Sequence, residues 1–221
     1  MGDRTGRLWW CLIGAAALAL GLAAPGCQLA GGMLASYERT GSHSVKAEYT
    51  GLEGKRFAVL VAADRMIQAN HPQLVAQVTT AVTARLVTEI EHGGFVPPQA
   101  ILQFQYDRPR WTAMGYSDLA AELGVERLVF VDLYEFRLNE PGNMYLWDGL
   151  AAAMVGVVET DGFMADEFIY TKEISVGFPD GQGFGPQEFT APQISAVLRS
   201  RLVDRASWLF YDHKEPNDKK Y

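Results

Sequence analysis

The sequence predicts an α/β domain, with α+β character in its element order, in which a single-layer mixed sheet of about four to five strands carries helices mainly on one face. Continuous apolar runs, such as residues 57–63, are typical of strands that are covered on both faces. In residues 74–90 apolar side chains instead recur every four positions, which indicates an amphipathic helix packed on the sheet.

The long helix follows the first strand, which is predicted at residues 56–63. Asn70 can cap this helix, Pro72 suits its first turn, and Gly93 stops it. The apolar stripe of the helix comprises Leu74, Val78, Val82, Leu86 and Ile90.

The middle of the chain is less regular. Two prolines interrupt residues 95–106, where residues 100–104 suit either a short strand or a helical turn. Ser117 is expected to cap a short helix that ends at Gly124. Residues 127–138 then form a strand, whose apolar first half lies in the core and whose charged second half approaches a sheet edge.

A hairpin and a helix complete the domain. Residues 151–159 are apolar throughout, residues 164–176 alternate between apolar and polar, and a Thr-Asp-Gly turn joins the two strands. A glycine-rich loop follows. Thr190 and Gln193 form a capping box that opens the last helix, predicted at 191–211.

The N-terminus has the layout of a secretory signal. Arg4 and Arg7 precede an apolar run at residues 8–24. The run ends before Gly26 and Cys27, where the sequence resembles the lipobox of bacterial lipoproteins. That resemblance implies that Cys27 is lipidated and becomes the new N-terminus. An uncleaved membrane anchor is the alternative.

The chain is therefore divided into four predicted segments. These are a lipoprotein signal peptide at 1–26, a lipidated N-terminus and tether at 27–54, a single α/β domain at 55–211 and a disordered tail at 212–221. Gln28 follows the lipid cysteine, which favours the outer membrane with the domain facing the periplasm. Anchoring in the inner membrane is the alternative.

The charge balance excludes some partners. The chain carries 19 Lys and Arg against 26 Asp and Glu, a formal net charge of −7. This sign opposes the binding of phosphate backbones, so nucleic acid is not an expected partner. It also provides no polybasic patch for anionic lipid, so attachment to the membrane is expected from the acyl chains alone.

No catalytic or metal-binding motif stands out. The sequence lacks the G-x-S-x-G string of a nucleophile elbow, and no two histidines share the spacing that places two ligands on one helical face. We therefore expect no metal and no cofactor. Asp132 and Glu135, near the end of a central strand, are the residues left for a carboxylate-dependent enzyme.

Two aromatic clusters are candidates for contact with a partner. Trp111 and Arg110 end the cluster at 106–111, and Trp147 ends the cluster at 144–147. Trp and Arg are frequent binding anchors at protein interfaces. A tryptophan folded back onto the sheet is the alternative for each cluster.

Several short phrases resemble one group of envelope lipoproteins. They are KRFAVLV at 55–61, DLAAELGV at 118–125 leading into LVFVD at 128–132, WDG at 147–149 and VVETDG at 157–162. These phrases are similar to the amino-terminal TolB-like domain, which is shared by the curli-secretion lipoprotein and by lipoprotein activators of penicillin-binding proteins. The resemblance spans about residues 55–210 and implies a binding and assembly module without catalytic residues.

The expected function is therefore that of a non-catalytic envelope lipoprotein, a periplasmic accessory or assembly factor. Its expected partner is a secretion or transport complex or a peptidoglycan synthase. The alternatives are an enzyme that acts on envelope polymers through carboxylates, and a carrier of small molecules or lipids. Acidic side chains clustered in a cleft favour the enzyme, a large apolar cavity favours the carrier, and an exposed aromatic surface favours the accessory. The oligomeric state stays open.

Overall fold

A computed structural model describes residues 41–162 and 164–217 of the chain. Its strands are β1 (Ser42–Val45), β2 (Arg56–Ala63), β3 (Gly94–Phe95), β4 (Arg127–Arg137), β5 (Gly149–Glu159), β6 (Phe168–Phe178) and β7 (His213–Pro216). Its helices are α1 (Arg65–Asn70), α2 (Leu74–Glu89), α3 (Pro98–Asp107), α4 (Tyr116–Leu123) and α5 (Ala191–Ser207). The predicted signal segment and Cys27 lie outside the described residues.

The central sheet has five strands in the order β3-β2-β4-β5-β6. β2 pairs in parallel with β3 and β4, whereas β4, β5 and β6 pair in antiparallel fashion. The sheet is open and mixed, so the predicted α/β class and the predicted late hairpin are confirmed.

The first face of the sheet is covered by the long helices α2 and α5. The apolar stripe predicted for α2 is buried, since Leu74 is 3% exposed and Val78, Val82 and Leu86 are 0% exposed. These side chains share one core with residues that β2, β4, β5 and β6 direct to the same face, among them Val59, Val131, Val155 and Ile174. Burial of this apolar area is the main term that stabilises the fold.

The second face is covered over part of its area by α3 and α4. Ile101 and Leu119 of these helices pack against Leu60 of β2 and Phe130 of β4. The ambiguous segment 95–106 thus contains a helix, because Pro98 lies in the first helical turn, where a missing N–H costs nothing. Helices therefore lie on both faces, with the two longest on one.

Two helix starts differ from the prediction. Ser117 does not cap α4; instead its backbone N–H donates to the Oδ1 atom of Asp166 at 2.8 Å. A carboxylate from the turn before β6 thus supplies the cap. Asn70 does not cap α2; it is the last residue of α1, a short helix that Asp64 caps by accepting from the N–H of Ile67 at 2.8 Å. α2 begins after Gln73, which makes no side-chain capping bond.

The predicted end of α4 and the last capping box agree with the structure. α2 ends at Glu89, before the predicted stop at Gly93, and α5 ends at Ser207 and not at residue 211. Gly124 ends α4 in the left-handed conformation, with a φ of 64°. Thr190 and Gln193 form the capping box at the start of α5.

Ordered structure extends beyond the predicted domain bounds at both ends. Within the segment predicted as a tether, Leu52 is fully buried, and the backbone N–H groups of Glu48 and Tyr49 both donate to the carbonyl of Leu209 at 2.9 Å. The apolar residues of this segment are few and isolated. The sequence therefore shows no hydrophobic periodicity there that would predict a helix or a strand. Residues 41–44 and 214–217 form a separate unit, in which β1 pairs with β7.

Candidate protein-binding surface

The loop between β4 and β5, residues 138–148, exposes three consecutive large apolar side chains, and we call it the apical loop. Met144 and Tyr145 are each 84% exposed, and Leu146 is 40% exposed. Single exposed apolar residues are common on protein surfaces, but contiguous ones indicate a contact site.

Arg137 closes the neck of the apical loop. Its Nη1 atom donates to the carbonyl of Asp148 at 2.7 Å, to the carboxylate of Asp148 at 3.1 Å and to the carbonyl of Asn139 at 3.1 Å. Its Nε atom donates to Glu135 at 2.9 Å. Partial burial lowers the pKa of Arg137, but the hydrogen bonds and charges of Asp148 and Glu135 together outweigh it, so the pKa is raised above its ordinary value. One permanently charged group thus holds both ends of the loop.

Hydrogen bonds also define the shape of the apical loop. The side-chain amide of Asn139 donates to the carbonyl of Leu146 at 2.7 Å, and the N–H of Tyr145 donates to Asn143 Oδ1 at 3.1 Å. Gly142 supplies a positive φ of 86°, which other residues adopt only with strain. The loop is therefore ordered by its backbone, and the apolar side chains of its tip are not needed to hold it.

Trp147 anchors the apical loop to the glycine-rich loop before α5. Its indole Nε1 donates to the carbonyl of Phe189 at 2.8 Å, and its backbone N–H donates to the carbonyl of Phe184 at 2.8 Å. The ring is half-buried and packs against the main core. Trp147, for which the sequence predicts a partner contact, thus supports the exposed tip through its hydrogen bonds to the glycine-rich loop.

The other predicted contact residues lie at the turn after α3. Trp111 is 9% exposed and packs in the second-face core, so it presents little surface to a partner. This is the arrangement of the alternative, a tryptophan folded back onto the sheet. Arg110 is exposed beside it. A contact role for these two residues stays a prediction.

On β4, β5 and β6, part of the second face is covered by no helix of residues 41–162 and 164–217, and we call this part the open sheet face. Its central row on β5 is apolar and belongs to neither core cluster. Cross-strand neighbours on β4 and β6 flank this row. The open sheet face comprises Asp132, Glu135 and Arg137 on β4, Leu150, Ala152 and Met154 on β5, and Thr171, Glu173 and Ser175 on β6.

An aromatic cluster closes one end of the open sheet face. The rings of Tyr116, Phe130 and Phe168 lie 5.0–5.5 Å apart between centroids. Gly156 makes this packing possible, because a Cβ atom there would lie 2.6 Å from the ring of Phe168. At the other end, Arg137 connects the open sheet face to the apical loop.

The two carboxylates considered for catalysis lie on this face. Asp132 is exposed, and Glu135 accepts from the Nε atom of Arg137. Burial is one means by which proteins prepare a carboxyl group for general acid catalysis, and neither of these side chains is buried. Across residues 41–162 and 164–217, no group of three or more His, Cys, Asp or Glu side chains is arranged to hold a metal ion.

Two clefts bear on the alternatives of an enzyme and a carrier. One has a volume of about 490 Å³ and is lined by Lys46 and by the carboxylates Glu53, Glu89, Glu91 and Asp212. The three glutamates are exposed, and Asp212 binds Lys46, so this cleft is a hydrated acidic surface. The second cleft lies between the first turns of α2 and α5 and has a volume of about 290 Å³. Burial lowers the pKa of His71 at its edge.

A polar cluster at the opposite end of the sheet joins the chain before β2 to the hairpin turn. Arg127 is 5% exposed; it forms an ion pair with Asp161, and its Nε atom donates to the carbonyl of Gly51 at 3.0 Å. Lys55 binds the same Asp161 at 2.7 Å. Hydrogen bonds from Lys55 and Arg127 lower the pKa of Asp161 to about 2. This cluster stabilises the fold at the end remote from the apical loop.

Among the helices of the described residues, none is both long enough and apolar enough to cross a bilayer. No protein-family model and no curated protein matches the chain.

Solved structures of similar topology include three bacterial proteins. The PelC dodecamer from Paraburkholderia phytofirmans is 9% identical, with 77% of this chain and 98% of that chain covered and a TM-score of 0.45. Lipoprotein GNA1162 from Neisseria meningitidis is 10% identical, with 68% and 96% covered and a TM-score of 0.45. The LpoB C-terminal domain from Salmonella enterica is 14% identical, with 58% and 84% covered and a TM-score of 0.35.

Proposed function

We propose that the chain is a bacterial envelope lipoprotein whose α/β domain is a non-catalytic accessory or assembly module, and that it binds a protein partner through the apical loop. Cys27 carries the lipid anchor in the outer membrane, and the domain faces the periplasm. The observation that carries the proposal is the exposed tip Met144, Tyr145 and Leu146 on a loop whose backbone is already ordered.

The tip has the composition and the order of a binding hot spot. Met and Tyr are enriched in protein interfaces, and complete burial of one large apolar side chain contributes about 1.5–3 kcal/mol. Ordering a flexible side chain or loop on binding costs about 0.5–1.5 kcal/mol per group. Because Arg137 and Trp147 order the backbone of the loop in advance, the ordering cost that a partner must offset is that of the tip side chains.

A protein suits this tip better than a membrane surface. The apical loop contains Glu140 and Asp148 and no lysine or arginine. A membrane surface that carries anionic lipid attracts basic segments, and the same charge repels carboxylates. The resemblance in the sequence points to a secretion or transport complex, or a peptidoglycan synthase, as the class of partner.

Site-specific crosslinking tests the proposal. A photoreactive amino acid replaces Tyr145 in the full-length chain in a bacterial envelope, and a control chain carries it at Met164, which is also exposed, at 54%. We expect one defined protein to be crosslinked from position 145 and not from position 164, and we expect Met144→Ser to reduce that product. No product at 145, or the same product at both positions, would argue against the apical loop.

The anchor has its own test, because it lies outside the described residues. Labelled palmitate is supplied to cells that express the wild-type chain or Cys27→Ala. We expect label in the wild type alone. Equal absence of label from both chains would refute lipidation at Cys27 and leave the crosslinking result to stand separately.

A further inference from the structure

We propose that the open sheet face binds an amphipathic α-helix of a partner protein, whose apolar stripe is flanked by Lys or Arg side chains. This inference rests on the proposed function in that it assumes a protein partner. It concerns a different surface from the apical loop, and it specifies the shape and the charge of what is bound.

The dimensions of the open sheet face fit one helix. β4 and β6 lie on either side of β5, about 10 Å apart across two strand spacings, which is close to the diameter of a helix. The apolar row from Leu150 through Ala152 to Met154 is about 13 Å long, or about nine residues of helix. The small Ala152 at its centre, 4% exposed, makes a shallow floor between two half-buried side chains.

The same strands already bind a helix on their other face. α5 packs across β5 and β6 through Ile194, Leu198 and Leu202, all of which are 0% exposed. On the second face, α3 and α4 cover β2 and the first half of β4, and the described residues place no helix on the rest. A partner helix on the open sheet face would complete the layer of helices that α3 and α4 begin on the second face.

The charges around the apolar row define the partner. Register places Asp132 and Glu173 on opposite sides of Met154. Both carboxylates are exposed, and within residues 41–162 and 164–217 neither forms an ion pair. A helix with cations along both margins of its apolar stripe would pair with them, and such pairing favours both the correct partner and fast association.

The same charges disfavour two other occupants. A second copy that docked through its own open sheet face would bring a second set of exposed carboxylates, Asp132 and Glu173, to the same apolar row, and an excess of like charge disfavours association. A membrane surface that carries anionic lipid would be repelled for the same reason. A basic amphipathic helix is the occupant that the apolar row and its carboxylates favour together.

A synthetic peptide tests this inference without knowledge of the natural partner. The probe is a helical peptide of about 18 residues with a leucine stripe flanked by lysines, and its counterpart carries glutamates in place of the lysines. The test variant is the full chain with both Asp132→Lys and Glu173→Lys, and it is compared with the wild type. A matched control carries Glu53→Lys and Glu89→Lys, which make the same charge change at the acidic cleft.

We expect the lysine peptide to bind the wild type and the control alike, and the dissociation constant to rise at least tenfold with Asp132→Lys and Glu173→Lys. Amide chemical shifts should change along β5, with Met154 among the strongest. The glutamate peptide should not bind. Absence of binding, equal weakening in both double variants, or shifts confined to the acidic cleft would overturn the inference.

The other occupants are outcomes of the same measurements. If deletion of residues 28–40 tightens peptide binding at least tenfold, that segment of the chain occupies the face and the inference is wrong. If the wild type self-associates through this face and Asp132→Lys abolishes the association, a second copy is the occupant and the inference is again wrong.

The two proposals fail separately. A crosslink at Tyr145 that persists while the lysine peptide does not bind would remove the inference alone. Peptide binding on β5 without any crosslink at Tyr145 would remove the apical loop from the proposed function and leave the open sheet face as the binding surface.

Discussion

Arg137 binds Asp148 across the neck of the apical loop, with its Nη1 atom 2.7 Å from the carbonyl oxygen and 3.1 Å from the carboxylate. Arg137 is the last residue of β4, and Asp148 immediately precedes β5. The contact therefore fixes the two ends of the loop while the tip stays in solvent. A surface that is rigid at its base and apolar at its end is suited to binding a protein.

Replacement of Arg137 by alanine should loosen the apical loop. The change removes charge-assisted hydrogen bonds from the carboxylates of Glu135 and Asp148, and we expect the free energy of unfolding to fall by about 1–3 kcal/mol. Chymotrypsin should also cleave the folded chain faster after Tyr145. Urea unfolding and limited proteolysis measure the two effects.

The control for this change is Arg110→Ala, because Arg110 is exposed at another turn. Its free energy of unfolding should stay within about 0.5 kcal/mol of the wild type. If Arg137→Ala were as stable and as resistant to protease as this control, the loop would not depend on the neck contact.

Gly156→Ala should disturb the aromatic cluster at the end of the open sheet face. The new Cβ atom would lie 2.6 Å from the ring of Phe168, so the ring must move away from Tyr116 and Phe130. We expect a loss of about 1–3 kcal/mol in the free energy of unfolding, as for other overpacked sites. Thermal or urea unfolding measures it.

Gly177→Ala provides the matched control in the neighbouring strand. There the nearest atom to a new Cβ is the carbonyl oxygen of Gly149 at 3.6 Å, an ordinary contact. This variant should be as stable as the wild type or slightly more so. Equal destabilisation by the two substitutions would mean that close packing of Phe168 is not the cause.

Asp161→Asn should lower the free energy of unfolding at neutral pH. It should also make that free energy depend less on pH in the acid range. Lys55 and Arg127 hold the pKa of Asp161 at about 2, below its usual value of 3.8. A lowered pKa means that the carboxylate stabilises the fold above about pH 4 and that this contribution is lost as pH falls towards 2. Unfolding curves of wild type and variant should therefore differ at pH 7 and converge near pH 2. A constant difference across this range would contradict the assignment.

The regular elements of the fold were predictable because their patterns are local. The four-residue recurrence from Leu74 to Ile90 predicts α2, and Thr190 with Gln193 predicts the start of α5. The missed features depend on distant contacts. Ser117 is bound by Asp166, 49 residues away, and no local rule supplies such a cap.

The candidate surface was only partly predictable. The aromatic residues at 144–147 predict a contact cluster, with Trp147 as the predicted contact residue. In the structure the indole N–H of Trp147 donates to the carbonyl of Phe189, whereas the side chains of Met144 and Tyr145 are exposed. Residue type alone cannot separate an anchor from a contact, because both roles favour aromatic rings. A turn between two paired strands, followed by consecutive apolar residues, was the available signal.

The central claim, that the apical loop binds the protein partner, is tested most directly by the affinity of the crosslinked partner for the wild type and two variants. Tyr145 and Tyr106 are 84% and 81% exposed, so Tyr145→Ser and Tyr106→Ser remove equally accessible rings from the apical loop and from helix α3. Isothermal titration should show a dissociation constant raised at least tenfold by Tyr145→Ser, as for a hot-spot residue, and unchanged by Tyr106→Ser. If Tyr106→Ser weakened binding and Tyr145→Ser did not, the apical loop would not be the binding site.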